Sequence, residues 1–364
     1  SNIFRFGSDD TQAKIEIIPQ AYDTPNFDID NITLKQKTVV EPIENAPINN
    51  KGLVVTEERF IFALGAGGNA RKVQWCDKEN NTVWAAAATN EAGDFELATV
   101  GQIMQGIRTR GQVLIITDTD AHTAQYIGPP YVYGFQKIGQ HCGAISRLSA
   151  VSTDYGVFWF GQESFHFFDG NSVQELPCEV RDYVFSDFNQ DQQSKVWGMA
   201  LGGENEIWWF YPSSNSLEID RYVGYNYADK HWLLGSLART AGAARGVFAT
   251  PIMSDHTTVT NLQNHEQGFN YDGATVFCET GPISLGNGDA VMKVTDVIPD
   301  EKTQGDVDLK FKSKFYPNDA ERTFGPFNPS NPTSVRFTGR QIKMRVEGDS
   351  ATNWNVGTMR LETK

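Results

Sequence analysis

No apolar run in the sequence approaches the roughly 18 residues that a membrane-spanning helix needs, so no membrane insertion by this segment is expected. Cysteine is scarce. Cys76, Cys142, Cys178 and Cys278 stand far apart and form no C-x-x-C pair. Free buried thiols are favoured over structural disulfides, and assembly in a reducing cytoplasm follows as the expectation. Six histidines are scattered, and neither H-E-x-x-H nor G-x-S-x-G occurs. No catalytic residue, cofactor or metal is assigned on this reading, and the chain is expected not to be an enzyme. The opening residues, SNIFRFGSDD, lack the pattern of a signal peptide. Their abrupt start fits a piece of a longer protein.

Basic residues are also in deficit, at 31 against 45 acidic, for a net charge of −14. From Val276 onward there are 12 of each sign, which leaves 19 basic against 33 acidic in the first 275 residues. The whole surplus therefore lies in the larger part. Such a surface does not grip phosphate, because binding works by cations displacing the counterions of nucleic acid. Contact with DNA that does not adhere is still permitted.

Aromatic residues (12 %, led by 23 Phe) and glycine (33 residues) are abundant, a mixture that favours strands and tight turns. The stretch from Ala150 to Gly170, AVSTDYGVFWFGQESFHFFDG, reads as strand, turn, strand, turn, strand, turn, with no room for a helix. Variations surround it. Leu53–Val55, Phe60–Leu64 and Lys72–Trp75 make one set. Ile107–Thr109, Val113–Ile116 and Ala124–Ile127 make another. Val196–Ala200, Ile207–Tyr211 and Tyr222–Tyr225 make a third, and a weaker copy is expected at Gly246–Ala249, followed by Gly268–Tyr271. A period of roughly 40 to 53 residues with about four short strands per unit is the signature of β-propeller blades. One large β-sandwich is the alternative.

The chain is thus read as all-β. Residues 1–50 carry alternating runs at Ala13–Ile17 and Ile32–Val40, part of a blade begun upstream. Residues 51–275 are propeller blades, incomplete as a ring, and residues 276–364 an antiparallel β-sandwich. In that last part Met292, Val294 and Ile298 are expected on one side, and Val307, Leu309, Phe311 and Phe315 inward with lysines outward. Ile342, Met344 and Val346 alternate with charged residues, and Val356–Leu361 closes the set.

Several motifs invite chemistry. Gly65-Ala66-Gly67-Gly68-Asn69 could pass for a phosphate loop, but a strand follows where a helix is required, so a hairpin loop is preferred. Asp118-Thr119-Asp120-Ala121-His122 offers metal ligands, and a turn is preferred. Asp187–Asp191 begins like a calcium loop, but Gln192 stands where Gly is needed and Gly198 where the bidentate Glu is needed. Ser152-x-Asp154-x-Gly156-x-Phe158-Trp159 resembles the Asp-box of sialidase-type propellers, a folding hairpin. Arg108, Arg110, Arg147 and Arg181 are present, but nothing in the sequence pairs them with a tyrosine. A glycosidase needs two carboxylates across a cleft, and the sequence selects none. Trp208-Trp209-Phe210-Tyr211 could stack on sugars; packing between blades is preferred.

The segments Gly52–Phe60, Leu64–Trp75 and Phe158–Gly161, with Asn226-Tyr227-x-x-x-x-His231-Trp232, Glu279–Pro282 and Arg336-Phe337-x-Gly339-Arg340-Gln341, resemble the tail-nozzle, or packaged-DNA stabilisation, proteins of short-tailed phages. The resemblance covers most of residues 50–364. It implies a virion structural component in the phage tail, assembled in the bacterial host cytoplasm. Its partners would be five further copies in a hexameric ring, the portal and adaptor, other tail proteins and passing DNA. The ring would extend the DNA channel and retain packaged DNA until ejection, with the β-sandwich the natural contact between neighbouring copies and part of the acidic surplus facing the channel. Two alternatives remain. One is a glycan-binding or glycan-hydrolysing propeller, with a rim pocket of clustered arginines or paired carboxylates. The other is a receptor-binding tail component, expected as a trimer.

Overall fold

The runs Val113–Ile116, Val157–Phe160 and Ile207–Tyr211 are apolar at every position. A strand with one wet face would alternate, so these strands must be covered on both faces. The computed structural model shows how. It describes residues 42–256, 262–266, 275–284, 290–329, 332–348 and 354–364. The runs expected at Ala13–Ile17, Ile32–Val40 and Gly268–Tyr271 lie outside the described residues.

The first sheet holds β1 (Gly52–Val55), β2 (Ile61–Leu64), β3 (Lys72–Trp75) and β4 (Gly93–Glu96). The second holds β5 (Ile103–Thr109), β6 (Gln112–Thr117), β7 (Asp120–Gly128) and β8 (Val132–Gln140). The third holds β9 (Ala150–Thr153), β10 (Gly156–Phe160), β11 (Phe165–Phe168) and β12 (Val173–Glu175). A short helix, α1 (Arg181–Ser186), follows. The fourth sheet holds β13 (Trp197–Leu201), β14 (Glu206–Tyr211), β15 (Arg221–Asn226) and β16 (His231–Ser236). The fifth holds β17 (Ala241–Ala243), β18 (Ile252–Ser254) and β19 (Leu262–Asn264). Every sheet is an antiparallel meander in chain order. The first strands β1, β5, β9, β13 and β17 neighbour one another in succession. Leu148, just before β9, pairs in parallel with Trp197 of β13. Parallel first strands side by side, each leading a sheet that runs outward, make a β-propeller.

Alternation sorts each second strand between two neighbours. Val113 and Ile115 of β6 pack with Phe62 and Trp75 of the first sheet, whereas Leu114 and Ile116 pack with Trp159 of the third. Phe158 and Phe160 of β10 turn to Trp209 and Tyr211 of the fourth sheet. Phe210 of β14 turns the other way, to Trp197 and Met253. The Nε1–H of Trp159 donates to the Cys142 carbonyl at 2.7 Å and that of Trp209 to the Ser149 carbonyl at 2.8 Å. The two indoles thereby tie the third and fourth sheets to the segment that enters the third. Close packing of first strands explains two glycines. A Cβ on Gly106 of β5 would stand 3.1 Å from Val54 Cγ1 of β1, and one on Gly198 of β13 2.8 Å from Val151 Cγ2 of β9.

The weak copy expected at Gly246–Ala249 is corrected. These residues form bends between β17 and β18, with Val247 and Phe248 exposed. Met253 of β18 takes the buried position of that sheet instead.

A β-sandwich follows. One sheet runs β20 (Val276–Glu279), β26 (Gln341–Gly348), β23 (Val307–Lys314), β24 (Arg322–Phe327), with β21 (Ile283–Ser284) also on β26. The other runs β25 (Thr333–Gly339), β22 (Met292–Pro299), β27 (Met359–Thr363). Val307, Leu309, Phe311, Ile342 and Val346 are buried as expected, and Met344 is half-buried. Three details differ. A bulge between Val294 and Asp296 resets the alternation, so Val297 is buried in the place expected for Ile298. β23 ends at Lys314, and Ser313 takes the inward site, donating to the Thr338 carbonyl at 3.1 Å, while Phe315 is half-buried. The last strand is Met359–Thr363, displaced from the expected Val356–Leu361.

Trp209 is fully buried between the third and fourth sheets, against Phe165 at 5.1 Å. Trp209→Ala is expected to cost about 3–5 kcal/mol of stability, read from the urea midpoint of the far-ultraviolet circular dichroism. A loss under about 1 kcal/mol would show that this contact does not hold the two sheets together.

Candidate functional site: a cleft on the hairpin rim

Radial stacking brings the tips of corresponding hairpins together on one rim. The β1–β2 turn, the β5–β6 and β9–β10 hairpins and the turn after β11 enclose an open cleft of about 760 Å³. Glu57 comes from the first, Arg108 and Arg110 from the second, Asp154 and Tyr155 from the third, Asp169 from the fourth. The hairpin at Asp154 is the Asp-box-like one. Thr153 Oγ1 donates to the Gly156 carbonyl at 3.0 Å and accepts from the Tyr155 N–H at 3.2 Å. Gly156 has φ +149°, and a Cβ there would stand 2.2 Å from the Phe168 carbonyl oxygen, so the turn against β11 requires glycine.

Two cross-ties fix the walls. The Gly111 N–H donates to Glu57 Oε2 at 3.1 Å, and Gln112 Nε2 donates to the Gly170 carbonyl at 2.6 Å. Asp169 Oδ1 accepts from the N–H groups of Asn171 and Ser172, each at 2.8 Å. These backbone bonds hold its carboxyl below the ordinary range. Among the described residues, the side chains of Arg108, Arg110 and Asp154 make no hydrogen bond or ion pair. Tyr155 is exposed, its ring tilted against Tyr227 at 5.0 Å.

Of the four arginines singled out from the sequence, the structure brings Arg108 and Arg110 to one cleft with a tyrosine and carboxylates. The other two are elsewhere: Arg147 donates to the Lys51 carbonyl and Arg181 to the Glu163 carbonyl. The useful signal was position, since Arg110-Gly111 and Asp154-Tyr155 occupy the same hairpin in consecutive sheets.

The Asp118–His122 segment divides. Asp118 is in a turn, its Oδ1 accepting from the Gln102 N–H at 2.9 Å, whereas Asp120 and His122 are buried on one face of β7. Asp120 Oδ1 accepts from Thr117 Oγ1 at 2.6 Å and Thr99 Oγ1 at 3.0 Å and lies 3.1 Å from His122 Nε2, while Lys137 Nζ reaches Oδ2 at 2.7 Å. Burial pushes the Asp120 carboxyl up, but Lys137, the two threonines and His122 together outweigh it, and the net shift is downward. Burial holds His122 below its usual value, against the pull of Asp120. Among the described residues no three acidic, His or Cys side chains converge on a metal position.

The glycine loop Gly65–Asn69 joins β2 to β3 through a single 3-10 turn at Ala66–Gly68. Asp187 Oδ2 lies 3.3 Å from Arg221 Nε, and Asn189 Oδ1 accepts from the Asp191 N–H at 3.1 Å. Trp209, Phe210 and Tyr211 are fully buried and Trp208 half-buried, so the aromatic knot is packing. All four cysteines are free. Cys76 and Cys142 are buried, Cys178 half-buried, and Cys278, against expectation, exposed. Burial pushes the Cys142 and Cys178 thiols up to about 11. Where the sequence selected no carboxylates, the structure gathers Glu204, Glu206 and Glu266. Partial burial, then the charges of Glu204 and Glu206, hold the Glu266 carboxyl above its ordinary range.

No family model and no curated protein matches the chain. Among solved structures, the AfRom2 CNH domain is similar at 9 % identity and TM-score 0.35, over 88 % of this chain and 87 % of that one. A chain of an S. cerevisiae Dbp5 complex with Nup159, Gle1, IP6 and ADP is similar at 8 % identity and TM-score 0.33, over 82 % and 75 %. The Neurospora crassa Pan2 WD40 domain is similar at 9 % identity and TM-score 0.29, over 59 % and 76 %. At these values the likenesses carry no argument about function.

His166, buried beneath Trp159 with Nε2 3.1 Å from Ser164 Oγ, is pushed down to about 4 by burial. The unfolded chain then binds the extra proton between pH 6.5 and about 4. The His166 contribution is whole above that window and lost as pH falls through it, by about 3 kcal/mol. Between pH 7 and pH 4.5 the wild type should lose about 2 kcal/mol more stability than His166→Gln, measured by urea unfolding at each pH; equal losses would refute the assignment.

Proposed function

We propose that the chain is a structural subunit of a short-tailed phage tail. Six copies would form a ring below the portal and adaptor that extends the DNA channel and retains packaged DNA until ejection, with no reaction performed. The observation that supports this reading is the segregation of charge. The surplus of −14 lies wholly in the first 275 residues, and its placement on the propeller is one-sided. None of β1, β5, β9, β13 or β17 carries a carboxylate. Exposed acidic side chains lie on outer strands and in loops instead, as with Glu175 on β12, Glu163, Asp191 and Asp229, while Asp94 and Glu96 on β4 pair with Lys72 and Arg71. An acidic bore that lets DNA slide would therefore run between subunits and not along the propeller's own axis.

The sandwich is suited to contact between copies. Its outer β23–β26 face is charge-compensated within the chain. Lys310 Nζ is 2.5 Å from Glu347, Lys312 Nζ 2.7 Å from Glu279, Lys343 Nζ 2.7 Å from Glu321, and Arg345 Nε 2.6 Å from Glu347. Arg345 also lies over the exposed Phe277 ring at 3.5 Å. A face that is locally neutral does not repel its own copies, as the propeller surface would at low salt.

Native mass measurement of the assembled protein should give six copies, and duplex DNA should elute unretarded past the immobilised ring at low salt. A stable trimer would replace this reading with a receptor-binding component, and a strict monomer with a glycan-binding propeller. DNA retention that weakens with salt would refute the sliding bore.

A further inference from the structure

We infer that the rim cleft is a binding site for an acidic saccharide, a sugar unit carrying a carboxylate within a longer chain. The inference does not depend on the ring reading, since it rests on the cleft alone. Hairpin tips ordinarily move separately. Here Gly111 N–H on Glu57 and Gln112 on the Gly170 carbonyl lock the walls before any ligand arrives, so binding need not order them.

The functional groups select the ligand. Arg108 and Arg110 line the cleft with no ion-pair or hydrogen-bond partner among the described residues, and a guanidinium fork matches a carboxylate in two parallel hydrogen bonds. Asp154, also without a partner among the described residues, and Glu57 are acceptors for hydroxyl donors. Tyr155, exposed and braced on Tyr227, offers a ring face to the apolar side of a pyranose. Two arginines against Glu57, Asp154 and Asp169 leave the lining at a formal charge of −1. A nucleic-acid strand would bring a charge with every phosphate past three carboxylates and is disfavoured. A neutral glycan would leave the two guanidinium groups unanswered. One carboxylate among many hydroxyls answers every group in the cleft, and its volume of about 760 Å³ lies in the range of small-molecule sites. No bond is made or broken in this proposal.

The test uses the whole chain and a panel of oligosaccharides that each carry one glucuronate, galacturonate or sialic acid unit among neutral sugars, with calorimetry or saturation-transfer NMR as the readout. At least one acid oligomer should bind. Its methyl ester, which keeps the shape and loses the charge, should bind about tenfold or more weakly, as should Arg108→Ala and Arg110→Ala. Both arginines are exposed, and an unchanged melting curve will show that each variant folds. Inorganic phosphate and single-stranded DNA are the control ligands. No binding across the panel overturns the inference, as does equal binding of acid and ester, or wild-type affinity in both arginine variants. Binding of phosphate without any of the acid oligomers would make the cleft a general anion site and overturn it equally.

Discussion

A short sheet with two apolar faces has no stable arrangement on its own, and this constraint orders the whole propeller. Each central strand must find a cover on either side, and the only cover with matching shape is the next sheet of the same kind. β6, β10 and β14 meet the demand in the same way, with odd and even residues packed on opposite neighbours. Burying an aromatic or aliphatic side chain contributes about 1.5–3 kcal/mol relative to exposure, and here nearly every residue of a central strand is buried. The rest follows from the stacking. First strands must run side by side, so Gly106 and Gly198 appear where they approach. Linkers must cross between sheets, so indole N–H groups of Trp159 and Trp209 find carbonyls there. Hairpin tips must collect on a rim, so a cleft forms from segments up to about a hundred residues apart.

The buried Asp120 network belongs to the same logic. It sits where the segment entering the second sheet, through Thr99, and the one leaving it, through Cys142 beside the Asp118–Thr119 turn, meet the head of β7. Removing a carboxylate from water costs several kcal/mol, and an apolar substitute of the same volume is often as stable. What the charge adds is geometry. Asp120 accepts at fixed angles from threonines on two different segments and from Lys137 on β8, so the crossing has one arrangement. That the motif reads as metal ligands in sequence and as a structural knot in space is no accident. Both uses need a carboxylate and an imidazole two residues apart on one strand face.

The central strands were legible in the sequence because burial on both faces leaves a continuous apolar run. The outer strands were not. Gly93–Glu96, Val132–Gln140, Val173–Glu175 and His231–Ser236 lie at the solvent edge of their sheets, where one flank and one face are wet, and their composition merges with that of loops. The apolar pair Val247-Phe248 misled for the converse reason: its residues are exposed at a hairpin end, and composition alone cannot tell a buried pair from a displayed one. In the sandwich, period-two alternation placed Val307, Leu309 and Phe311 correctly, but a single bulge at Thr295 was enough to invert Ile298 and Val297. The cleft was hidden because its members come from four hairpins, and no spacing in a linear string marks them as neighbours. Once the blade register is known, Arg108 and Arg110 in one tip and Asp154 and Tyr155 in the corresponding tip of the next sheet become adjacent by construction.

The same register bears on how one chain could serve as both conduit and surface reader. In this radial stack the first strands run side by side and carry no carboxylates, so acidic groups are confined to later strands, loops and rims. Exposed loops and turns, as at Glu163, Asp191 and Asp229, hold negative charge, which acts over a Debye length of about 8 Å at physiological salt. It can repel a polyanion, but it has no directional preference. The rim cleft holds the reverse: a few groups at fixed positions with compensating signs, which select by hydrogen-bond geometry and act only on contact. A long polyanion passing the acidic loops and a short segment with one carboxylate resting on the rim would therefore meet opposite responses from one acidic protein. The sign of the total charge does not decide between them; the spacing of cations against carboxylates does.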